Sequence, residues 1–134
     1  MAPRGIRNNN AGNIRHGAKW QGLAAEQTDS AFCTFTDPVY GIRAMGKILL
    51  NYQSRYGINT VRGIIDRWAP PVENDTEAYI EHVADDLRVG IDEPIVIADN
   101  LVGLIKAIIY HENGINPYAD SLIMEGARLA RGGK

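Results

Sequence analysis

Glu112 is the residue of this chain whose type and position best suit acid–base chemistry. It falls in the last turn of residues 101–114, an apolar segment with the pattern of a helix that is stopped by a glycine. The carboxyl end of a helix carries partial negative charge, and apolar neighbours also penalise a charged group. We therefore expect a carboxyl group that keeps its proton near neutral pH and can act as a general acid. The alternative is a glutamate that points into solvent at a frayed helix end.

Other catalytic chemistries lack the residues that they require. A zinc-protease helix needs a second histidine four residues after His111, and that position is Ile115. The sequence has no glycine-rich phosphate loop and no Gly-x-Ser-x-Gly elbow. Cys33 has no second cysteine to pair with, and a half-buried structural cysteine is a simpler interpretation than a thiol site. We predict no metal site and no cofactor, which leaves the carboxylates.

The composition is typical of one soluble globular domain. The chain has 134 residues and a formal net charge of -2, which gives no electrostatic argument for binding nucleic acid or an anionic membrane. The longest apolar region is interrupted by Lys106 and is too short to cross a membrane, so no integral membrane association is expected. The first residues lack the apolar core of a signal peptide. We expect a monomer that is made in the cytoplasm. If it acts outside the cytoplasm, another component must carry it there.

Helical patterns begin at residue 37 and position the candidate acid. Asp37-Pro38 predicts a helix start with an acidic cap and proline in the first turn, and Gly57 predicts its end. Asn74 and Glu77 have the spacing of a capping box and predict a further start. Together the patterns predict helices over about 38–56, 60–68, 74–87, 101–113 and 119–130, with an additional start at residues 92–94.

Residues 1–36 have little periodicity and are predicted to be loops with a small hairpin, in which residues 30–36 could form a short strand. The chain is therefore expected to be an α-rich α+β domain of about five helices. Residues 1–36 would form a small loop or β lobe, and residues 37–134 a helical lobe of the same domain.

Two segments resemble peptidoglycan-degrading enzymes. Residues 107–119, AIIYHENGINPYA, resemble the catalytic segment of lysozyme-like lytic transglycosylases, in which an apolar helix ends in Glu-Ser-Gly before an Asn-Pro pair; here Asn113 replaces the serine. Independently, NNAGNIR at 9–15, KWQG at 19–22 and Glu26 resemble the Asn-rich turn, Trp-x-Gly and acidic residue of glucosaminidase-type peptidoglycan hydrolases. The segment containing Asn74 and Tyr79 resembles the part of that family that holds an active-site tyrosine.

The order of these segments differs from that in the resembled families. In those families the glutamate helix precedes the Asn-rich turn, whereas here the turn lies at residues 8–15 and Glu112 near the end of the chain. The resemblance therefore implies a lysozyme-like fold in circularly permuted order, which is physically tolerated where chain termini lie close together.

The resemblance implies a glycosidase that cleaves peptidoglycan between N-acetylmuramic acid and N-acetylglucosamine. Glu112 would be the general acid, Glu26 a second carboxylate and Tyr79 a supporting hydroxyl. A phage protein without a signal peptide is implied, which would reach the cell wall after holin release or as part of a virion. Substrate contacts are predicted at Asn10, Asn13, Arg15, Trp20, Asn113 and Tyr118.

Alternatives remain open at the level of residues and of function. The asparagines of the turn could hold unusual backbone angles instead of binding sugars, and the aromatic residues could belong to the core. Cleavage by water or by the sugar's own hydroxyl would both use Glu112. The chain could also be a non-catalytic virion or wall-binding protein on the same scaffold, or a helical regulator whose motif matches arose by chance.

Overall fold

Six α-helices build most of the part of the chain that the computed structural model describes, residues 2–71 and 74–132. The α-rich character predicted from the sequence is therefore confirmed. No helix among these residues is both long and apolar enough to span a membrane. The helices are α1 (Arg4–Arg7), α2 (Pro38–Tyr56), α3 (Val61–Trp68), α4 (Thr76–Leu87), α5 (Leu101–Asn113) and α6 (Asp120–Ala130), with a 3-10 turn at Ala98–Asn100.

Capping residues explain why α2 begins and ends as predicted. The carboxylate of Asp37 accepts a hydrogen bond from the Val39 backbone N–H, and Pro38 occupies the first turn. Gly57 ends the helix in the left-handed conformation, with φ of 67°. The Thr60 hydroxyl caps α3 in the same way, by accepting from the Gly63 N–H.

Two predicted helix starts are wrong. The N-cap of α4 is Asp75, whose side chain accepts from the Ala78 N–H, while the Asn74 amide donates to the carbonyl of Pro70. Residues 92–94 do not start a helix, because Asp92 pairs with Arg62 and the Glu93 carboxylate accepts from the Gly90 N–H. Residues 91–97 instead form turns and irregular backbone that lead to the 3-10 turn at Ala98–Asn100.

The small lobe contains less β structure than predicted. Residues 30–36 form no named strand and make only two isolated antiparallel bridges, Arg15 with Phe32 and Leu23 with Phe35. Two different segments each pair with residues 30–36 at a single position, so neither pairing extends into a strand. The sequence also failed to predict α1, whose Arg4 donates two hydrogen bonds to the carboxylate of Asp29.

Helix α5, which carries Glu112, is the centre of the fold. It contacts α1, α2, α4 and α6, and its inward side chains are completely buried, including Leu104, Ile105 and Ile108. The same core cluster includes Ile14, Cys33 and Phe35 of the small lobe. The two lobes therefore share one apolar core, and Glu112 lies at the end of its central helix.

Candidate active site

Both carboxylate oxygens of Glu112 accept a hydrogen bond from another side chain. The Asn13 amide Nδ2 donates to Oε1 at 3.0 Å, and the Tyr79 hydroxyl donates to Oε2 at 2.9 Å. Glu112 is half-buried and lines a cleft. The alternative of a glutamate that points freely into solvent is therefore wrong. Because its donors come from the small lobe and from α4, the carboxylate is fixed from two sides.

The Asn-rich turn brings Asn13 to Glu112. Asn9 and Asn13 both have a left-handed backbone, with φ of 53° and 52°, which asparagine tolerates better than most residues. Asn10 is completely buried; its amide oxygen accepts from the Ile14 N–H, and its Nδ2 donates to the carbonyls of Ile14 and Cys33. The prediction that Asn10 binds substrate is therefore wrong: Asn10 holds the turn, and Asn13 is presented by it.

Asn113 also has a structural task instead of the predicted contact with substrate. Its Nδ2 donates to the carbonyl of Ala11 at 2.8 Å and to that of Ile109 at 2.9 Å. The first of these bonds joins the end of α5 to the Asn-rich turn across 102 positions of sequence. An amide side chain can serve two carbonyls at once, which gives a physical reason for asparagine at a position where the resembled families have serine.

Tyr79 is presented by α4 and is only 1% exposed. Burial, and after it the negative charge of Glu112, raises the pKa of Tyr79 far above the ordinary value for a phenol. The hydroxyl therefore stays protonated and donates. The imidazole of His111 stacks on its ring, with centroids 3.6 Å apart and an angle of 18° between the planes. The tyrosine that the resemblance indicated thus contacts the candidate acid directly.

The cleft beside Glu112 has a volume of about 760 Å³, within the range of small-molecule and oligosaccharide sites. Among the described residues that line it, Glu112 is the only acid. Burial raises the pKa of Tyr52 to about 12, so its phenol is neutral in the cleft wall. Much of the remaining lining is apolar or aromatic, including Phe32, Ile48 and Trp68. Polar side chains are contributed by Asn13, Arg15 and Asn74.

Three other predicted site residues lie away from the lining of this cleft. Glu26 is exposed in the small lobe. Trp20 and Tyr118 are partly buried and pack against the hydrophobic core, and burial raises the pKa of the Tyr118 phenol. The structure therefore brings together Glu112, Tyr79, Asn13 and Arg15, but it does not bring Glu26 into their cleft.

Sequence reasoning missed the cleft walls and the role of His111. The sequence did not indicate which aromatic residues would face a groove, and the structure places Trp68 and Tyr52 in the lining of the cleft. A ring on one helix and an acid on another give no local signal that they will share a surface. The position of His111, directly before Glu112 on an otherwise apolar helix, was the available signal for its contact with the site. The described residues contain no group of three or more metal-ligating side chains.

A phage protein is similar to nearly the whole chain. Protein P5 of Pseudoalteromonas phage PM2 is 44% identical over 130 residues, which cover 93% of this chain and 80% of that protein. No protein-family model matches the chain. The relative supports the bacteriophage context expected from the sequence. Identity at this level over this length shows that the chain belongs to the family of Protein P5 of phage PM2.

Proposed function

We propose that the protein is a glycosidase that cuts the glycan strands of bacterial peptidoglycan, with Glu112 as the general acid. The observation that carries the proposal is the double hydrogen bond to Glu112, from Asn13 and Tyr79, at the wall of a cleft. A general acid must be held where its proton can reach the leaving oxygen, and this carboxyl group is fixed at both oxygens.

The chemical step transfers one proton from Glu112 to the glycosidic oxygen as the bond between that oxygen and the sugar C1 breaks. Each carboxyl oxygen has capacity beyond the one donor that it already accepts, so a position remains for the proton and its acceptor. The sugar ring gains oxocarbenium character and is then attacked either by water or by its own hydroxyl, and the proton that this nucleophile loses returns to the Glu112 carboxylate. Tyr79 and Asn13 stabilise the carboxylate that remains after the proton has left.

The cleft walls suit a glycan strand. The C–H faces of sugar rings pack on aromatic side chains, and Trp68 supplies such a surface. The ring of Phe32, which also lines the cleft, is already covered by the guanidinium groups of Arg4 and Arg15. Arg15 provides a positive charge at the same wall, which fits the lactyl or peptide carboxylates of peptidoglycan. Because Glu26 does not line the cleft, the proposal gives it no part in the chemical step.

We also propose that the fold is lysozyme-like in permuted order. The turn of residues 9–15 lies beside Glu112 although 99 positions separate Asn13 from it. A permuted enzyme of the resembled families requires this juxtaposition. A role in cell lysis or in phage entry through the wall is consistent with the phage relative.

The test is Glu112→Gln in an assay that follows dye release from labelled peptidoglycan sacculi. We expect a loss of about 10²–10⁴-fold, the usual contribution of a general acid. The glutamine can still accept from Asn13 and present its amide to the Tyr79 oxygen, so the melting temperature should change little. Glu81→Gln, an exposed glutamate on α4, is the matched control and should retain full activity.

Mass spectrometry of the products identifies the reaction. A 1,6-anhydro end indicates attack by the sugar's own hydroxyl, and a reducing end indicates hydrolysis at the sugar that carries it. Sacculi that are bound without release of muropeptides would instead support the non-catalytic wall-binding alternative. Retained cleavage by Glu112→Gln would refute the role of Glu112.

A further inference from the structure

A pair of histidines lies directly behind Tyr79. His82 on α4 and His111 on α5 face each other, with their Nδ1 atoms 3.2 Å apart. His111 is the same imidazole that stacks on the Tyr79 ring. A continuous chain of contacts therefore runs from His82 through His111 and the Tyr79 ring to the Tyr79 hydroxyl and Oε2 of Glu112.

The hydrogen bond between the two imidazoles limits how many protons the pair can carry. A hydrogen bond between two Nδ1 atoms needs one protonated and one unprotonated nitrogen. Two neutral imidazoles of different tautomers satisfy this requirement, and so does a pair that carries one additional proton. With a second additional proton, both Nδ1 atoms would carry hydrogens that point at each other and both rings would be positively charged. The contact is therefore incompatible with the doubly charged pair.

The charged groups around the pair act in both directions. The Asp86 carboxylate lies 4.0 Å from Nε2 of His82, and the Tyr110 ring packs edge-on against His82. Burial, and after it the neighbouring His82, lowers the pKa of His111, whereas Glu112 and Asp75 raise it. The net effect on the pKa of His111 is downward from the ordinary histidine value.

We propose that His111 is a positioning residue for Tyr79 and Glu112, and that its pairing with His82 makes this positioning fail in acid. While the pair carries at most one additional proton, His111 is held between His82 and the Tyr79 ring, and Tyr79 is held against Glu112. When the second proton binds, the two rings separate and the stack on Tyr79 loses its support. This inference rests on the proposed glycosidase function for its effect on catalysis, but not for the coupled titration of the pair.

The test compares pH profiles of sacculus cleavage at limiting substrate for wild type and His82→Asn. The Asn side-chain oxygen can accept from Nδ1–H of His111 whether or not that ring is charged. His111 should therefore stay in place against the Tyr79 ring when its imidazole is protonated. We expect the acidic limb to move to lower pH by about half a pH unit or more, while the basic limb stays in place. His16→Asn, in the small lobe, should leave both limbs unchanged. An acidic limb at the same pH in His82→Asn and wild type would overturn the proposal.

Histidine NMR on the wild-type protein tests the pair without reference to catalysis. Nitrogen shifts of the imidazoles should show two coupled histidines, with the second proton bound at distinctly lower pH than the first, and the ring signals of Tyr79 should change with that second step. Independent titration of all three histidines would refute the pairing, even if a His82 variant failed to fold. If no muropeptides are released at any pH while the titrations are coupled, the proposed function fails and the pairing stands.

Discussion

Asn13 combines a backbone task with a side-chain task, and substitutions can separate the two. Its backbone is left-handed and its amide donates to Glu112. Asn13→Gly keeps the backbone angle at little cost but removes the amide, whereas Asn13→Ala removes the amide and adds strain of roughly 1–2 kcal/mol. We expect both variants to lose activity by about tenfold, corresponding to about 1.4 kcal/mol of transition-state stabilisation.

Thermal denaturation separates the two effects of the Asn13 substitutions. Asn13→Ala should melt at a lower temperature than Asn13→Gly, while the losses of activity are similar. Full activity in Asn13→Gly would mean that the hydrogen bond to Glu112 has no part in catalysis.

Residues of the site were predictable from the sequence where a short segment around them carries the signal. Glu112 was identifiable from its position on an apolar helix, and Tyr79 from the motif around it. The division of tasks between Asn10 and Asn13 was not predictable, because it depends on which amide the turn buries. Asn10 donates to the backbone carbonyls of Ile14 and Cys33, and Asn13 reaches the carboxylate.

At the scale of elements, α1 is a short helix with a specific contact to the site. A Cβ on Gly5 would lie 2.8 Å from the carbonyl oxygen of Asn10 and from the amide oxygens of Asn13 and Asn113. Gly5→Ala should therefore push the turn and the end of α5 apart. We expect a loss of stability of about 1–3 kcal/mol from this overpacking, together with reduced sacculus cleavage.

Gly57→Ala is the matched control for that substitution. Gly57 has φ of 67° and open space around the site of a Cβ, so alanine there costs roughly 1 kcal/mol through backbone strain alone. It should lower the melting temperature without lowering activity at 25 °C. Equal activities in the two variants would show that α1 does not help to position the site.

Helix boundaries were predictable where the capping residue has no other partner. Asp37 and Thr60 cap α2 and α3 as their sequence positions indicate. Asp92 and Glu93 have the same local pattern, but their carboxylates are used by Arg62 and by the Gly90 N–H. The partner of Glu93 is local, three residues away, whereas Arg62 is brought to Asp92 only by the folded chain.

At the scale of the whole molecule, the site joins the two ends of the sequence. The hydrogen bonds from Asn13 to Glu112 and from Asn113 to Ala11 span 99 and 102 positions. Periodicity and capping describe windows of a few residues, so they carry no direct information about such contacts. The juxtaposition was expected only because two family resemblances, each at one end of the chain, required a common cleft.

The shared core predicts that the small lobe and the helices unfold together. Ile14, Cys33 and Phe35 pack in the same apolar cluster as the helices, so neither lobe has a separate core that would stabilise it alone. Two variants test this expectation in a denaturant titration. Trp68→Phe leaves Trp20 as the fluorescent probe of the small lobe, and Trp20→Phe leaves Trp68 as the probe at the end of α3.

In each variant, we expect the tryptophan signal and the helical circular dichroism to give the same midpoint, as a two-state transition requires. The comparison is made within each variant, because the two substitutions can change stability by different amounts. A Trp20 transition at lower denaturant than the helical signal would contradict the prediction, since the small lobe could then open while the helices stay folded. Asn13 would leave Glu112 in that open state, so the same result would also predict loss of cleavage at denaturant concentrations that leave the helices intact.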